Sequence, residues 1–437
     1  MPDAPEQPGF TVRVAQNQYL PPGGTEVHAV VTVASDGGGA PGAQEPPAEV
    51  IILDTSGSMY GDRLAHARRA ARAAVDTLRE GARFALVAGD HTATMVYPTR
   101  RELATADPRS RAAAKEALRG LTAGGGTRMG RWVEQAAELF SRTEAELKHA
   151  ILLTDGKNND PSPEFGRVLA AHEGEFVCDC RGVGTDWNVD ELREVASVLL
   201  GSVGMVTDPA ELAEDFRAMT RSAMAKTVPD VELRLWTPRG ADVVSVRQVS
   251  PTVEDVTARR RDSGPQNGDY PTGSWGVETR EYHVRVSVPP ADTGRRMRAG
   301  RVSVRTPRGD RTLAHGDILA EWTENETRTA TIEPRVAHYT GQVELAAAVQ
   351  EGLRARERGD TGTATSRLGR AVALAHESGN ETTAALLARV VDVVDPVSGT
   401  VRLRPEVAAT DAMALDTCST RTVPITPASG TEPGRRG

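Results

Sequence analysis

Five oxygen-bearing residues in three short stretches could hold one hard cation between them. The stretch AEVIILDTSGSM, residues 48 to 59, carries Asp54, Ser56 and Ser58 in alternation. The glycine-rich TAGGGTRMG places Thr127 directly after three glycines, and the run AILLTDG ends in Asp155. Two carboxylates and three hydroxyls form an all-oxygen donor set. Such a set suits Mg²⁺, which takes near-octahedral oxygen ligands at about 2.0–2.1 Å and keeps several waters. Hydroxyls and water also accept Mn²⁺ or Ca²⁺. Taken alone, Asp-Thr-Ser-Gly-Ser also fits a turn with helix-capping hydroxyls. The three stretches together point to the cation.

Elements of particular kinds must bring these residues together. Val50, Ile51, Ile52 and Leu53 are continuously apolar and mostly β-branched, the pattern of a parallel strand buried on both faces. Ala150 to Thr154 repeats that pattern before Asp155. Open parallel sheets bind ligands at the carboxyl ends of their strands, so two strand tips would each offer an Asp. Gly124, Gly125 and Gly126 would let the Thr127 backbone approach without side-chain clash.

The set of Asp54, Ser56, Ser58, Thr127 and Asp155 resembles the metal-ion-dependent adhesion site of von Willebrand factor type A domains. All five positions of the family pattern are matched in order, and the resemblance covers roughly residues 46 to 225. It implies Mg²⁺ or Mn²⁺ held by Ser56, Ser58 and Thr127, with Asp54 and Asp155 acting largely through water. It also implies an open position for an acidic residue of a protein partner. The implied function is metal-dependent binding and scaffolding, with no bond made or broken. Two alternatives stand beside it. Some complexes that use such domains are AAA-type or chelatase-like machines, to which this chain would be an accessory subunit. A Mg²⁺-dependent phosphotransfer enzyme is the other. However, Ser56 stands where haloacid-dehalogenase-type phosphatases carry a second Asp, and the sequence has no GxxxxGK[ST], HExxH or GxSxG motif.

The 437 residues allow two or three domains. A net charge of −8 argues against broad nucleic-acid binding. No apolar run approaches the length of a membrane span, and MPDAPEQPGF lacks the basic and apolar regions of a secretory signal. Three cysteines without a disulfide framework fit a reducing compartment, so a cytoplasmic location is expected. Cys178 and Cys180 alternate on one strand and read as buried core thiols.

Along the chain, residues 1–45 hold two alternating apolar runs that read as antiparallel strands. Residues 46–227 alternate strands and helices, which predicts a doubly wound, mostly parallel α/β sheet. Helices are expected at 62–78, 109–121, 129–147, 163–172, 189–198 and 208–225. In 228–335, short alternating strands with regular turns, one of them at Pro307-Arg308-Gly309, predict a β-sandwich. The N-terminal strands would complete it, so the type A domain would be inserted in the sandwich. Residues 254–276 read as a long polar loop. Residues 336–395 read as three antiparallel helices, a spacing that also fits one tetratricopeptide-like unit. Residues 396–437 read as a disordered tail. Within it, Thr420, Thr422 and Thr426 are candidate phosphorylation sites. Thr422, with Ile425 three residues on, looks like a ligand for a forkhead-associated domain. After Asp155, Asn158, Asn159 and Asp160 would lie on the ligand face; they read as a solvated loop, with a part in choosing the partner as the alternative.

Overall fold

In the computed structural model the chain is described over residues 9–38, 45–307 and 311–425. Arg308, Gly309 and Thr426 lie outside the described residues. The strand Ala48–Asp54 sits in the middle of a seven-stranded sheet and is buried along its whole length. Each of Val50, Ile51, Ile52 and Leu53 contributes about 1.5–3 kcal/mol by leaving water. That offsets the cost of burying Asp54 at the strand's end. The sheet order is Val203–Val206, Val177–Val183, Lys148–Thr154, Ala48–Asp54, Arg83–Gly89, Ala93–Tyr97, with Ala104–Thr105 also pairing Arg83–Gly89. The first five strands are mutually parallel. The last pairs antiparallel, as an edge strand.

From Ala48–Asp54 the chain passes to Arg83–Gly89 on one side, and later returns to Lys148–Thr154 on the other. The strand order therefore reverses between Asp54 and Asp155, which makes a ligand crevice at their carboxyl ends. The helix Asp62–Thr77 buries Leu64, Ala67, Ala71, Ala74 and Val75 on one face of the sheet, at the spacing that predicted it. Met129–Phe140, Ser162–Ala171 and Val189–Val198 cover the other face, where Cys178 and Cys180 are buried and unbonded to each other. Toward the opposite end of the strands the buried Glu49 carboxylate binds His149 at 2.9 Å, and His149 also binds Asp179 at 3.1 Å. Burial opposes protonation of His149, but the two carboxylates outweigh it and push its pKa up to about 10.

The second unit is a sandwich. One sheet runs Phe10–Gln16, Glu26–Asp36, Val277–Ser287, Asp242–Ser250, Glu254–Asp255. The other runs Arg261–Gly264, Asn267–Trp275, Val228–Trp236, Arg296–Thr306, Arg311–Trp322, Tyr19–Leu20. Val27, Val31 and Val284 from the first sheet share one core with Leu233, Val302 and Trp322 from the second. The N-terminal strands thus belong to the sandwich: Glu26–Asp36 pairs with Val277–Ser287 along eleven residues. The parallel-sheet domain is inserted between them.

The expected loop over 254–276 is instead largely strand. Tyr270 and Trp275 enter the core, and Thr272 Oγ1 donates to Val231 O at 2.7 Å. Part of the polarity that suggested a loop belongs to residues satisfied far along the chain, as Asp269 is by Arg234 Nε at 2.6 Å.

Pro334–Glu357, Thr361–Glu377 and Glu381–Val390 form the helical region, and Asp360 and Asn380 cap the second and third helices. The third helix ends earlier than its periodicity predicted. Val391–Asp395 pairs with Thr400–Leu403 as a hairpin.

The reading of 396–437 as a disordered tail is corrected over 396–425. The hairpin is followed by the helix Ala409–Cys418, which docks on the inserted domain. Arg193 Nη2 reaches Asp416 Oδ1 at 2.8 Å, across 223 residues of sequence. Beyond it, Val253 N donates to Thr420 O at 2.6 Å and Thr422 Oγ1 donates to Pro251 O at 3.1 Å. The Val423 carbonyl lies 2.7 Å from His338 Nε2. The helix buries only Ala414, Leu415 and Thr417, too few and too small to give a helical signature. Among the described residues no helix is long and apolar enough to cross a membrane.

Candidate metal centre

The tip of Ala48–Asp54 turns directly into a short 3-10 helix, Gly57–Met59, which lifts Ser58 toward the neighbouring strand tip. Asp54 is fully buried. Its Oδ1 accepts from Ser56 N at 2.7 Å, and its Oδ2 accepts from Thr154 Oγ1 at 2.5 Å. Ser56 Oγ lies 2.9 Å from Ser58 Oγ, and Ser58 Oγ donates to Asp155 Oδ1 at 2.5 Å. Ser56, Ser58 and Asp155 therefore form one chain of oxygens across the two strand ends, and Asp54 joins it through the Ser56 backbone N–H.

Thr127 comes from the glycine loop, which is stapled to the first stretch by backbone bonds. Gly124 N donates to Thr55 O at 2.8 Å, and Gly57 N donates to Gly125 O at 3.0 Å. Gly125 holds φ +82°, and a Cβ there would meet His91 Nδ1 at 2.7 Å, so the loop needs glycine at this position. A Cβ on Gly156 would meet Thr127 Oγ1 at 3.0 Å, Ser58 Oγ at 3.4 Å and Asp54 Oδ2 at 3.8 Å. Oxygens from the first stretch and the glycine loop thus converge on the bare α-carbon next to Asp155, in the third.

Burial pushes the Asp54 carboxyl pKa up, against the bonds from Ser56 and Thr154, and the nearby Asp155 charge adds to the rise. A cation in the cup would offset that penalty. The donor set is hard oxygen throughout, matching Mg²⁺ or its substitutes Mn²⁺ and Ca²⁺. Among the described residues no group of three His, Cys, Asp or Glu side chains is arranged to hold a metal. The cup contains only two residues of those types, and its remaining donors are hydroxyls.

The sequence reasoning overlooked three contributors. Thr154 fixes Asp54; its signal was a hydroxyl residue at the end of an otherwise apolar strand. Arg63, in the first turn of Asp62–Thr77, donates from Nη1 to Asp155 Oδ2 at 2.7 Å and to Asp186 Oδ2 at 3.2 Å. No local pattern marks it. Asn159 clamps the threonine: its Oδ1 accepts from Thr127 N at 2.8 Å and its N donates to Thr127 O at 2.6 Å. The segment 158–160 is thus a brace rather than a merely solvated loop. Asn158 Oδ1 accepts from Met129 N at 3.1 Å, and Asp160 Oδ2 accepts from Gly130 N at 2.7 Å.

The parallel sheet, its switch point and the hydroxyl–carboxylate cup define an α/β domain built to present an oxygen cluster at its strand tips. Comparison with known proteins gives the family. Residues 49–204 match the family model of the von Willebrand factor type A domain, and residues 373–419 match that of the von Willebrand factor type A C-terminal domain. A solved von Willebrand factor type A protein from Catenulispora acidiphila is 48% identical. The match covers 97% of this chain and 99% of that one, with a TM-score of 0.91. The chain belongs to the von Willebrand factor type A family. An uncharacterised Synechocystis protein is 30% identical over 219 residues, 48% of this chain and 50% of that protein. The match therefore spans about half the length of that curated relative. The ArnB paralog VWA2 from Sulfolobus acidocaldarius shares the fold at 14% identity and a TM-score of 0.57, covering 94% of this chain and 98% of that one.

Proposed function

We propose that this protein is a metal-dependent protein-binding scaffold. Ser56, Ser58 and Thr127 would hold Mg²⁺, or Mn²⁺ or Ca²⁺ in its place, with Asp54 and Asp155 behind them. The observation that carries this reading is the convergence of Thr127, Ser58 and Asp54 oxygens on Gly156. Bound, the ion supplies a positive charge with room for one more oxygen ligand. The protein's residues do the rest. Thr154 and Ser56 N orient Asp54, Asn159 sets the Thr127 loop, and the buried strand tips keep the two carboxylates side by side. An acidic side chain of the partner is the natural further ligand. In this reading the Ser56 and Ser58 hydroxyls serve as ligands and the two carboxylates as their anchors, and the role is binding rather than catalysis.

The test is calorimetry of Mg²⁺ binding, followed by capture of partners with Mg²⁺, with EDTA, and with Asp54→Ala. Partners retained equally in all three would overturn the reading.

A further inference from the structure

The oxygen cup is not the whole of the face onto which it opens. Asp155 has Ser58 on Oδ1 and Arg63 on Oδ2. One carboxylate thus carries a hydroxyl of the cup on one oxygen and a guanidinium on the other. Arg63 is 38% exposed, and both of its hydrogen bonds leave from Nη1. A guanidinium has five N–H donors in a planar fork. Among the described residues, the Nε and Nη2 donors of Arg63 make no hydrogen bond.

Tyr60 lies two residues beyond Ser58, on the turn that closes the 3-10 helix, and is 83% exposed. It is the most exposed of the large apolar side chains among the described residues. Single exposed apolar residues are ordinary on protein surfaces. What singles this one out is its place in the chain, two residues past Ser58 at the end of the 3-10 helix. The rim around it is low and open: Gly57, Ser58, Gly61, Gly124 and Gly125 are all exposed. Such a rim admits another backbone and cannot enclose a small molecule.

Charge points the same way. The chain carries −8 overall, so an acidic partner must be drawn by local charge. A divalent ion is neutralised by Asp54 and Asp155. Around it Arg63, shared with Asp186, and the exposed Lys157 next to Gly156 stand against Asp62 and Asp90 on the rim. The pull on a carboxylate therefore comes from the ion and from the Arg63 donors that make no hydrogen bond among the described residues.

Resting on the metal-binding reading above, we propose that Arg63 and Tyr60 are the residues that choose the partner. The partner is a protein segment with a carboxylate flanked by an apolar side chain. One carboxylate oxygen goes to the ion, the second to the open edge of the Arg63 fork, and the apolar neighbour lies on the Tyr60 ring. Guanidinium–carboxylate forks add directional energy, and Arg and Tyr, with Trp, are enriched among the residues that carry interface energy.

The probe is a phage library of random peptides with one fixed Asp, selected on the full chain in Mg²⁺. The expected pool has an apolar or aromatic residue within two positions of that Asp. A synthetic peptide from it should bind with Mg²⁺, and neither with EDTA nor when the Asp is replaced by Asn. Tyr60→Ala should weaken this peptide about tenfold and Tyr60→Phe should not. Arg63→Gln should weaken it about tenfold, with Arg63→Lys intermediate. Mn²⁺ affinity, read by electron paramagnetic resonance without peptide, should not fall in the Tyr60 variants. Because Arg63 also bonds Asp155, its variants are compared at saturating Mn²⁺, where loss of peptide affinity alone is read. A pool dependent on Mg²⁺ and Asp but indifferent to Tyr60→Ala and Arg63→Gln would overturn the rim and leave the metal reading standing. Indifference to one of them removes that residue. Failure to select any Mg²⁺-dependent peptide would overturn both readings together.

Discussion

Asp54 is the residue on which the cup turns. It is fully buried, its carboxyl is destabilised by that burial, and its two bonds only partly compensate. A divalent ion should therefore stabilise the fold measurably. At an ion concentration of about one hundred times Kd, linkage gives about 2.7 kcal/mol. The expected outcome is a rise in Tm on adding Mg²⁺ to wild type and no rise in Asp54→Ala. The same experiment tests the brace. Asn159→Ala removes the side-chain half of the clamp on Thr127, and should weaken Mg²⁺ affinity about 10- to 100-fold, as isothermal titration would show. Unchanged affinity would mean that the Thr127 loop holds its shape without Asn159.

At the scale of elements, the glycine loop and the sandwich strands each carry a constraint that can be measured. Gly125→Ala puts a Cβ at φ +82° and against His91. The left-handed backbone alone costs about 1–2 kcal/mol, so Tm should fall and metal affinity with it. In Val277–Ser287, His283 is 3% exposed. Burial first, then His28, Arg247 and Arg285, hold its pKa down at about 4, against a small opposing pull from Glu26. The unfolded chain takes up this proton near pH 6.5. The neutral ring therefore contributes stability that is fully present above that pH and is lost as pH falls from about 6.5 through 4. The contribution is about 3 kcal/mol at most. Thermal melts of wild type and His283→Gln should converge in slope above pH 7. Below pH 6 the wild type should fall more steeply, and parallel acid profiles would refute the assignment.

At the scale of the whole molecule, three units are joined by a few specific contacts. Arg335 and Tyr339 of Pro334–Glu357 both donate to the buried Glu281 of the sandwich. Arg193 ties the terminal helix to the inserted domain through Asp416. Both partners are about three-quarters covered, and the contact pairs two nitrogens with a carboxylate and a carbonyl. Arg193→Ala should therefore raise amide exchange across Ala409–Cys418 while leaving Ala48–Asp54 protected. Asp416→Ala should do the same, and the double variant should add little to either. Full additivity would show that the pair does not hold the helix. Thr422 is part of the same attachment, since its hydroxyl donates to Pro251 O. A phosphate cannot make that donation, so recognition of phosphorylated Thr422 by a forkhead-associated domain would require this strap to leave Pro251.

Much of the inserted domain was legible without coordinates. Val50 to Leu53 and Ile151 to Leu153 are apolar because both faces of the sheet are covered, and the helix periodicities follow from the same two-sided burial. The five residues that meet in the cup were legible as a group because each stands where such a strand or glycine loop stops. The membership of the N-terminal strands in the sandwich was legible too, because period-two runs have no place among parallel strands. Arg63, the brace at Asn159, the strands within 254–276 and the terminal helix were not legible. Each is fixed by a partner between 32 and 223 residues away. A polar side chain satisfied at such range leaves the same local pattern as one left in water, so only the tertiary structure could distinguish them.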